Sequence, residues 1–202
     1  MYNSKIGASK ETGLVLQGDS NSWGKINTNF NIDNNDFTLY FCYKSTGTCT
    51  EDPNSILSIG NYKIPTFLSS FGGDITLKKN FTWMSSSTSD TTSMRSHISE
   101  RQWNIICITH DKNSKELHFY INGKLIGVYY EGEYSIDTTI YFGAAPQENK
   151  DGYISYFYST VSYYAKMFAL YNNFQPYATV AKNSKALADY YITETFTYPL
   201  SP

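Results

Sequence analysis

The sequence predicts an all-β chain in which two antiparallel sheets stack as a β-sandwich, or jelly roll, with one short C-terminal helix. Three observations lead there. Aromatic residues make up 17% of the 202 residues, as 19 Tyr, 12 Phe and 3 Trp, and bulky rings suit a pleated, half-buried surface. Short apolar runs recur between turn signals, the rhythm of hairpins rather than of strand–helix–strand units. Helical spacing is confined to a single late segment.

The elements follow in order. Residues 1–12 read as an N-terminal arm, 13–191 as one domain and 192–202 as a tail. Gly13–Leu16 is a short apolar strand, and Gly18–Gly24 a turn. In Phe37–Tyr43 the period of two puts Phe37, Leu39, Phe41 and Tyr43 on one face. Ile56–Gly60 is another short strand. Ile75–Leu77 and Phe81–Met84 bracket a turn at Lys78–Asn80. Residues 85–93, SSSTSDTTS, are a polar loop.

Trp103–Thr109 is apolar at odd and even positions alike, as for a strand buried on both faces. His110–Lys115 is a polar turn. Leu117, Phe119 and Ile121 then alternate with His118, Tyr120 and Asn122, a strand with one inward face. Asn122-Gly123 signals a type I′ turn, after which Lys124–Tyr130 returns as the hairpin partner. Thr138–Gly143 and Lys166–Tyr171 are further strands, with a tyrosine-rich stretch at 153–164 between them. In Tyr177–Tyr191, Val180, Leu187 and Tyr191 fit a helical face and four alanines favour helix.

Composition excludes several functions. Lys+Arg 16 against Asp+Glu 18 leaves a net charge of -2, without the basic excess a nucleic-acid partner requires. No run of 18 apolar residues exists, so membrane insertion is not expected. The first residues lack an apolar core, so no secretory signal is expected. Cys42, Cys49 and Cys107 are an odd set, read as buried or unreactive thiols rather than a staple framework. The sequon Asn80-Phe81-Thr82 would matter only in a secreted chain.

The run from Trp103 to Asp111, followed by Leu117 to Lys124, resembles the central hairpin of the laminin-G-like, concanavalin A-like module. In that family "W-x-h-h-x-h-T" is followed by "L-x-h-Y-h-N-G-K", h being hydrophobic. Gly13–Gly18, Asp36–Phe41, and Phe168–Phe174 with the helix ending at Tyr191 resemble other pieces of the family, in the family's order. The pattern covers about residues 13–191. The resemblance implies two curved antiparallel sheets face to face, a fold that commonly binds glycans through loops or the concave sheet. The related pentraxins carry a Cys in the strand corresponding to Trp103–Thr109, with a partner near Tyr40. A Cys42–Cys107 bond is thus an implied candidate.

Catalytic motifs are missing from the sequence. Sandwich glycosidases share E-x-D-x-x-E, which lines carboxylates along one strand face, and that spacing does not occur here. Glu131 and Glu133, with Gly132 between them, read as a solvated hairpin edge. His97, His110 and His118 are scattered. Neither G-x-S-x-G nor H-E-x-x-H occurs. The chain is therefore not expected to be an enzyme, with a glycosidase-like activity as the remote alternative. No cofactor is expected apart from a candidate calcium ion at Glu148, Asn149 and Asp151, a loop whose other reading is a polar turn.

Glycan binding rests on rings, because a sugar's C–H face packs against an aromatic plane. Trp103 starts the buried strand and belongs to the core. Candidate ligand residues are Trp23, Trp83, Tyr129, Tyr130, Tyr153, Tyr156 and Tyr158. The expectation is a recognition or adhesion module for surface glycans or glycoproteins, on an extracellular surface or on a virion as a tail, baseplate or capsid component. Tyr is also enriched in protein interfaces. Other protein subunits are therefore expected partners, and a structural assembly protein without a glycan ligand is the alternative.

Overall fold

A computed structural model describes residues 14–16, 23–27, 35–47, 55–59, 66–71, 74–79, 82–83, 95–98, 101–130, 139–148, 154–158 and 162–192. Its strands are β1 (Leu14–Leu16), β2 (Gly24–Asn27), β3 (Phe37–Ser45), β4 (Leu57–Ser58), β5 (Thr66–Phe71), β6 (Asp74–Lys79), β7 (Thr82–Trp83), β8 (Arg95–His97), β9 (Asn104–Asp111), β10 (Glu116–Ile121), β11 (Lys124–Tyr130), β12 (Thr139–Phe142), β13 (Ala144–Glu148), β14 (Ile154–Tyr158) and β15 (Tyr163–Tyr171). One helix follows, α1 (Tyr177–Tyr191).

The first sheet has six strands in the order β1-β15-β3-β9-β10-β11. The second has seven, β2-β12-β4-β5-β6-β7 with β8 also paired to β6. β13 and β14 form a separate two-stranded ladder. Every pairing is antiparallel. The two-sheet, mostly β architecture is therefore as the sequence predicts, with the helix at the predicted residues.

The main core lies between the sheets. Phe37, Leu39, Phe41 and Tyr43 of β3 meet Ile106 and Ile108 of β9 and Leu117, Phe119 and Ile121 of β10 from one side. Ile56, Leu57, Ile75, Ile140 and Phe142 close it from the other. Each fully buried ring or aliphatic side chain contributes about 1.5–3 kcal/mol of transfer free energy.

A second core forms on the far side of the first sheet. Tyr40, Cys42, Ile105, Cys107 and Tyr120 pack there with Trp103 and with Val180, Ala188 and Ile192 from α1 and its end. This explains why β9 is apolar from Ile105 to Ile108 on odd and even positions alike: both its faces are covered. β10 differs from the one-faced strand predicted. Tyr120 is wholly buried, because a phenol can offer its ring to a core while its hydroxyl finds a partner, here the His118 Nδ1 at 3.0 Å. Ile192, which falls in the predicted tail, is also buried and belongs to this core.

Polar contacts fasten the helix at both ends. Pro176 caps its start in an extended conformation without a side-chain hydrogen bond. The loop before it is tied instead to β3: the Gln175 N–H donates to Thr38 Oγ1 at 3.0 Å, and the Tyr40 hydroxyl donates to Gln175 Oε1 at 2.6 Å. At the other end Lys166 Nζ donates to the Tyr191 carbonyl at 2.9 Å while lying 4.6 Å from the Trp103 ring centre. The predicted Asn122-Gly123 turn is present, with φ of 52° and 78°. The Asn122 side-chain oxygen accepts from the Ile105 N–H at 2.8 Å. A Cβ on Gly123 would stand 3.4 Å from Ala181 Cα, so the turn lies directly against α1.

Three further expectations are corrected. Lys78 and Lys79 are ladder residues, opposite Trp83 and Thr82, so the turn between β6 and β7 is shorter than predicted. His110 belongs to β9 rather than to a turn. It is 3% exposed, its Nδ1 lies 2.8 Å from the Asn35 carbonyl, and its ring stacks on Phe37. Cys42 and Cys107 are free thiols. The register gives the reason: Cys107 faces Tyr40 and Cys42 faces Ile105, so the two cysteines are diagonal rather than opposite. Diagonal neighbours stand about 7–8 Å apart, beyond comfortable bridging distance. The arm, the 85–93 loop, the sequon's Asn80, Cys49 and the pair Glu131 and Glu133 lie outside the described residues.

Candidate recognition face

The ladder registers of the second sheet place residues from distant parts of the chain in one row. Lys25 of β2 faces Tyr141 of β12, and Tyr141 faces Ser58 of β4. Ser58 faces Phe67 of β5, Phe67 faces Lys78 of β6, and Lys78 faces Trp83 of β7. Residues directly opposite one another share a sheet face. This row is therefore one face, and it is the face away from the core. The residues one step along, Ile140, Leu57 and Ile75 among them, are the ones buried between the sheets.

Two steps along each strand, the same face continues. It takes in Trp23, Asn27, Thr139, Ser69, Phe71, Asp74 and Thr76, and Arg95 and His97 through their pairing with Thr76 and Asp74. Trp23 and Tyr141 are half-buried and in ring contact, with centroids 6.1 Å apart. Lys25 and Asn27 are exposed at the edge strand. Ser58, the smallest residue of the row, is fully buried at its centre, between two ring-bearing positions. At its β2–β12 edge the face thus sets two half-buried rings beside exposed polar and cationic groups. Rings supply flat apolar area, and the polar groups supply direction.

The predicted ligand residues fall into three groups. Trp23 and Trp83 fall on the outer face just described, at opposite ends of the strand order. Tyr129 and Tyr130 lie on β11, the last strand of the first sheet. There Tyr129 faces Leu117 and, half-buried, packs against the main core. Tyr130 faces Glu116. Tyr156 and Tyr158 occupy β14 opposite Pro146 and Ala144, in the separate ladder. Tyr153 lies outside the described residues. The candidates therefore do not form one site.

Of the candidate calcium ligands, Glu148 ends β13 in register with Ile154, and Asn149 and Asp151 lie outside the described residues. Among the described residues no three His, Cys, Asp or Glu side chains converge. Sequence reasoning missed Phe67, Lys78 and Tyr141. Their alternation with core residues was visible in the sequence, but the register that aligns them was not.

A second ringed region lies beside α1. The Tyr177 ring, 45% exposed, stacks on Tyr120 at 6.3 Å, and Phe174 meets His118 edge-on at 5.4 Å. His118 Nε2 is 2.8 Å from Glu116 Oε2. Burial pushes the Tyr120 hydroxyl up to about 12 and, below it, raises the Cys107 thiol well above its ordinary value. Both groups stay neutral and serve packing.

Two face-packed antiparallel sheets with one ringed outer face define a lectin-type β-sandwich. The laminin-G-type profile described as concanavalin A-like lectin/glucanases superfamily matches residues 18–164, more than two thirds of the chain. The chain belongs to that superfamily. Among solved structures, it is similar in fold to the receptor binding domain of botulinum neurotoxin D, with TM-score 0.66 and 17% identity over 91% of this chain and 46% of that one. It is also similar to the serotype G binding domain, with TM-score 0.61 and 14% identity over 87% of this chain and 42% of that one. The serotype D/C binding domain gives TM-score 0.63 and 15% identity over 92% and 46%. The chain spans less than half the length of each of these domains. A search of curated sequences finds no match.

Proposed function

We propose that this chain is a non-catalytic recognition module that binds surface glycans or glycoproteins through the outer face of its second sheet. The observation behind this reading is the cross-strand row Lys25–Tyr141–Ser58–Phe67–Lys78–Trp83. It sets ring-bearing positions beside polar ones on a face that the core does not use. Membership of a lectin-type superfamily supports it, as does the fold shared with receptor binding domains of botulinum neurotoxins. Attachment of a virion or of a secreted protein to a cell surface is the setting in which such a module would act.

The test is a glycan array followed by titration calorimetry on the whole chain, with Tyr141→Ala and Trp83→Ala beside it. Binding that both substitutions weaken supports the reading. Silence across bacterial wall polysaccharides and animal-type glycans overturns it. A second reading, an assembly protein that buries its rings against other subunits, is favoured by the exposed Tyr177 and Tyr190 of α1, at 45% and 68%. Size measurement by light scattering, with Tyr190→Ser as the control, separates the two.

A further inference from the structure

The chain contains one Asn-Gly step, Asn122-Gly123, and it forms the turn between β10 and β11. In an opened chain such a step reacts with itself. The Gly123 backbone nitrogen gives up its proton and bonds to Asn122 Cγ. The Cγ–Nδ2 bond breaks, and the amide nitrogen leaves as ammonia with that proton. Water then opens the five-membered imide at either carbonyl, leaving aspartate or isoaspartate at 122. Glycine permits the attack because no Cβ shields its nitrogen.

The native hairpin opposes that reaction. The Asn122 amide is held at both of its polar atoms by β9, away from Gly123. Its Oδ1 accepts from the Ile105 N–H at 2.8 Å, and its Nδ2 donates to Asn104 Oδ1 at 3.0 Å. Asn104 is 4% exposed, and its own Nδ2 donates to the Gln102 carbonyl at 2.9 Å. Gly123 is buried, and a Cβ there would stand 3.4 Å from Ala181 Cα and from Ser184 Cβ of α1. Little room is left for a base or for water.

We propose that Asn122 is a latent modification site: an amide that the closed hairpin protects, that converts when the hairpin opens, and whose conversion unseats α1. The last step follows from the products. Aspartate sets an oxygen without a proton where Nδ2 stood, against Asn104 Oδ1. Asn104 cannot turn its amide without giving up its bond to the Gln102 carbonyl. Isoaspartate lengthens the two-residue turn by one backbone carbon, beneath a helix already in contact with it. Cys42 and Cys107, sealed under α1, are then uncovered. This site is independent of whatever the recognition face binds.

The experiment holds the full chain at mildly alkaline pH, folded and in denaturant. Peptide mapping by mass spectrometry follows the mass gain from amide to acid. Asn113, exposed and followed by Ser114, is the internal comparison. In denaturant Asn122 should convert before Asn113. In the folded chain Asn122 should convert at least about tenfold more slowly than in denaturant, since it waits for the turn to open. Asn104→Ala should speed Asn122 conversion severalfold in the folded chain and leave Asn113 unchanged. Asn104→Asp, which keeps an acceptor, should leave Asn122 slow. The converted chain, and Asn122→Asp, should melt at a lower temperature and let a maleimide label Cys107.

Equal Asn122 rates in the folded chain and in denaturant overturn the protection, and that comparison needs no variant to fold. An Asn104→Ala chain that melts cooperatively yet converts Asn122 no faster overturns the role of the pinned amide. A converted chain with an unchanged melting temperature and an unlabelled Cys107 overturns the coupling to α1.

Discussion

The two sheets treat their outer faces in opposite ways. On the first sheet the outer face is a second core: Tyr40, Cys42, Cys107 and Tyr120 are sealed beneath α1, and hydrogen bonds fasten the helix at both ends. On the second sheet the corresponding face alternates rings with lysine, serine and threonine, and its edge residues Lys25 and Asn27 are exposed. The same residue type, tyrosine, therefore serves two purposes. Where a helix covers it, the ring is structural. At Tyr141 the ring is half-buried and meets Trp23. The difference lies in what covers the ring from outside, not in the ring itself or in the residues that flank it along the strand.

The largest test of this contrast is ring removal on each face. Tyr120→Ala, under the helix, should cost about 3–5 kcal/mol, the range for truncating a buried ring. Tyr141→Ala, half-buried on the other face, should cost less than about 1.5 kcal/mol. Urea denaturation reads both, and equal costs would break the comparison.

Alkaline pH acts next, on the sealed face alone. Burial pushes Cys42 from its ordinary 9.0 up to about 12, with the nearby Lys166 charge opposing. Tyr120 rises from 10.0 to about 12. For both groups the folded state holds the proton more tightly than the unfolded one. Their contribution is therefore fully present below pH 9 and is lost as pH climbs toward 12. The melting temperature should fall over that window, and Cys42→Ala should shift the onset upward.

Gly123→Ala tests the docking of α1. The residue has a φ of 78°, where an L side chain is strained, and the new methyl would meet Ala181 and Ser184. A loss of about 1–2 kcal/mol is expected, read by thermal unfolding. The smallest stability effect belongs to Lys25→Gln, exposed on the second sheet: within about 0.5 kcal/mol.

Much of the fold was legible in local pattern. The doubly apolar β9, the Asn122-Gly123 turn and the bounds of α1 each follow from residues adjacent in sequence. The misses have a common cause in long-range geometry. The sequence assigns no strand at β2, whose first residue Gly24 ends the predicted turn, because GKIN has little pattern of its own; it becomes a strand by pairing with β12. Tyr120 was assigned to a solvent face because the helix that covers it starts 57 residues later in the chain. Cys42 and Cys107 suggested a bond because the family resemblance located them on neighbouring strands, but not in register. Trp23 and Trp83 were both flagged from their polar surroundings, yet nothing in the sequence could join them to Tyr141 or Phe67, since only the ladder does that.

The direction of the row across the strands has a consequence for how such a face can change over evolutionary time. Each position along it is supplied by a different stretch of polypeptide, and the ends are too far apart to be energetically coupled. Mutation can therefore retune one contact while leaving the rest of the row and the interior packing as they were. A scaffold of this kind can drift from one ligand to a related one in small, independently viable steps.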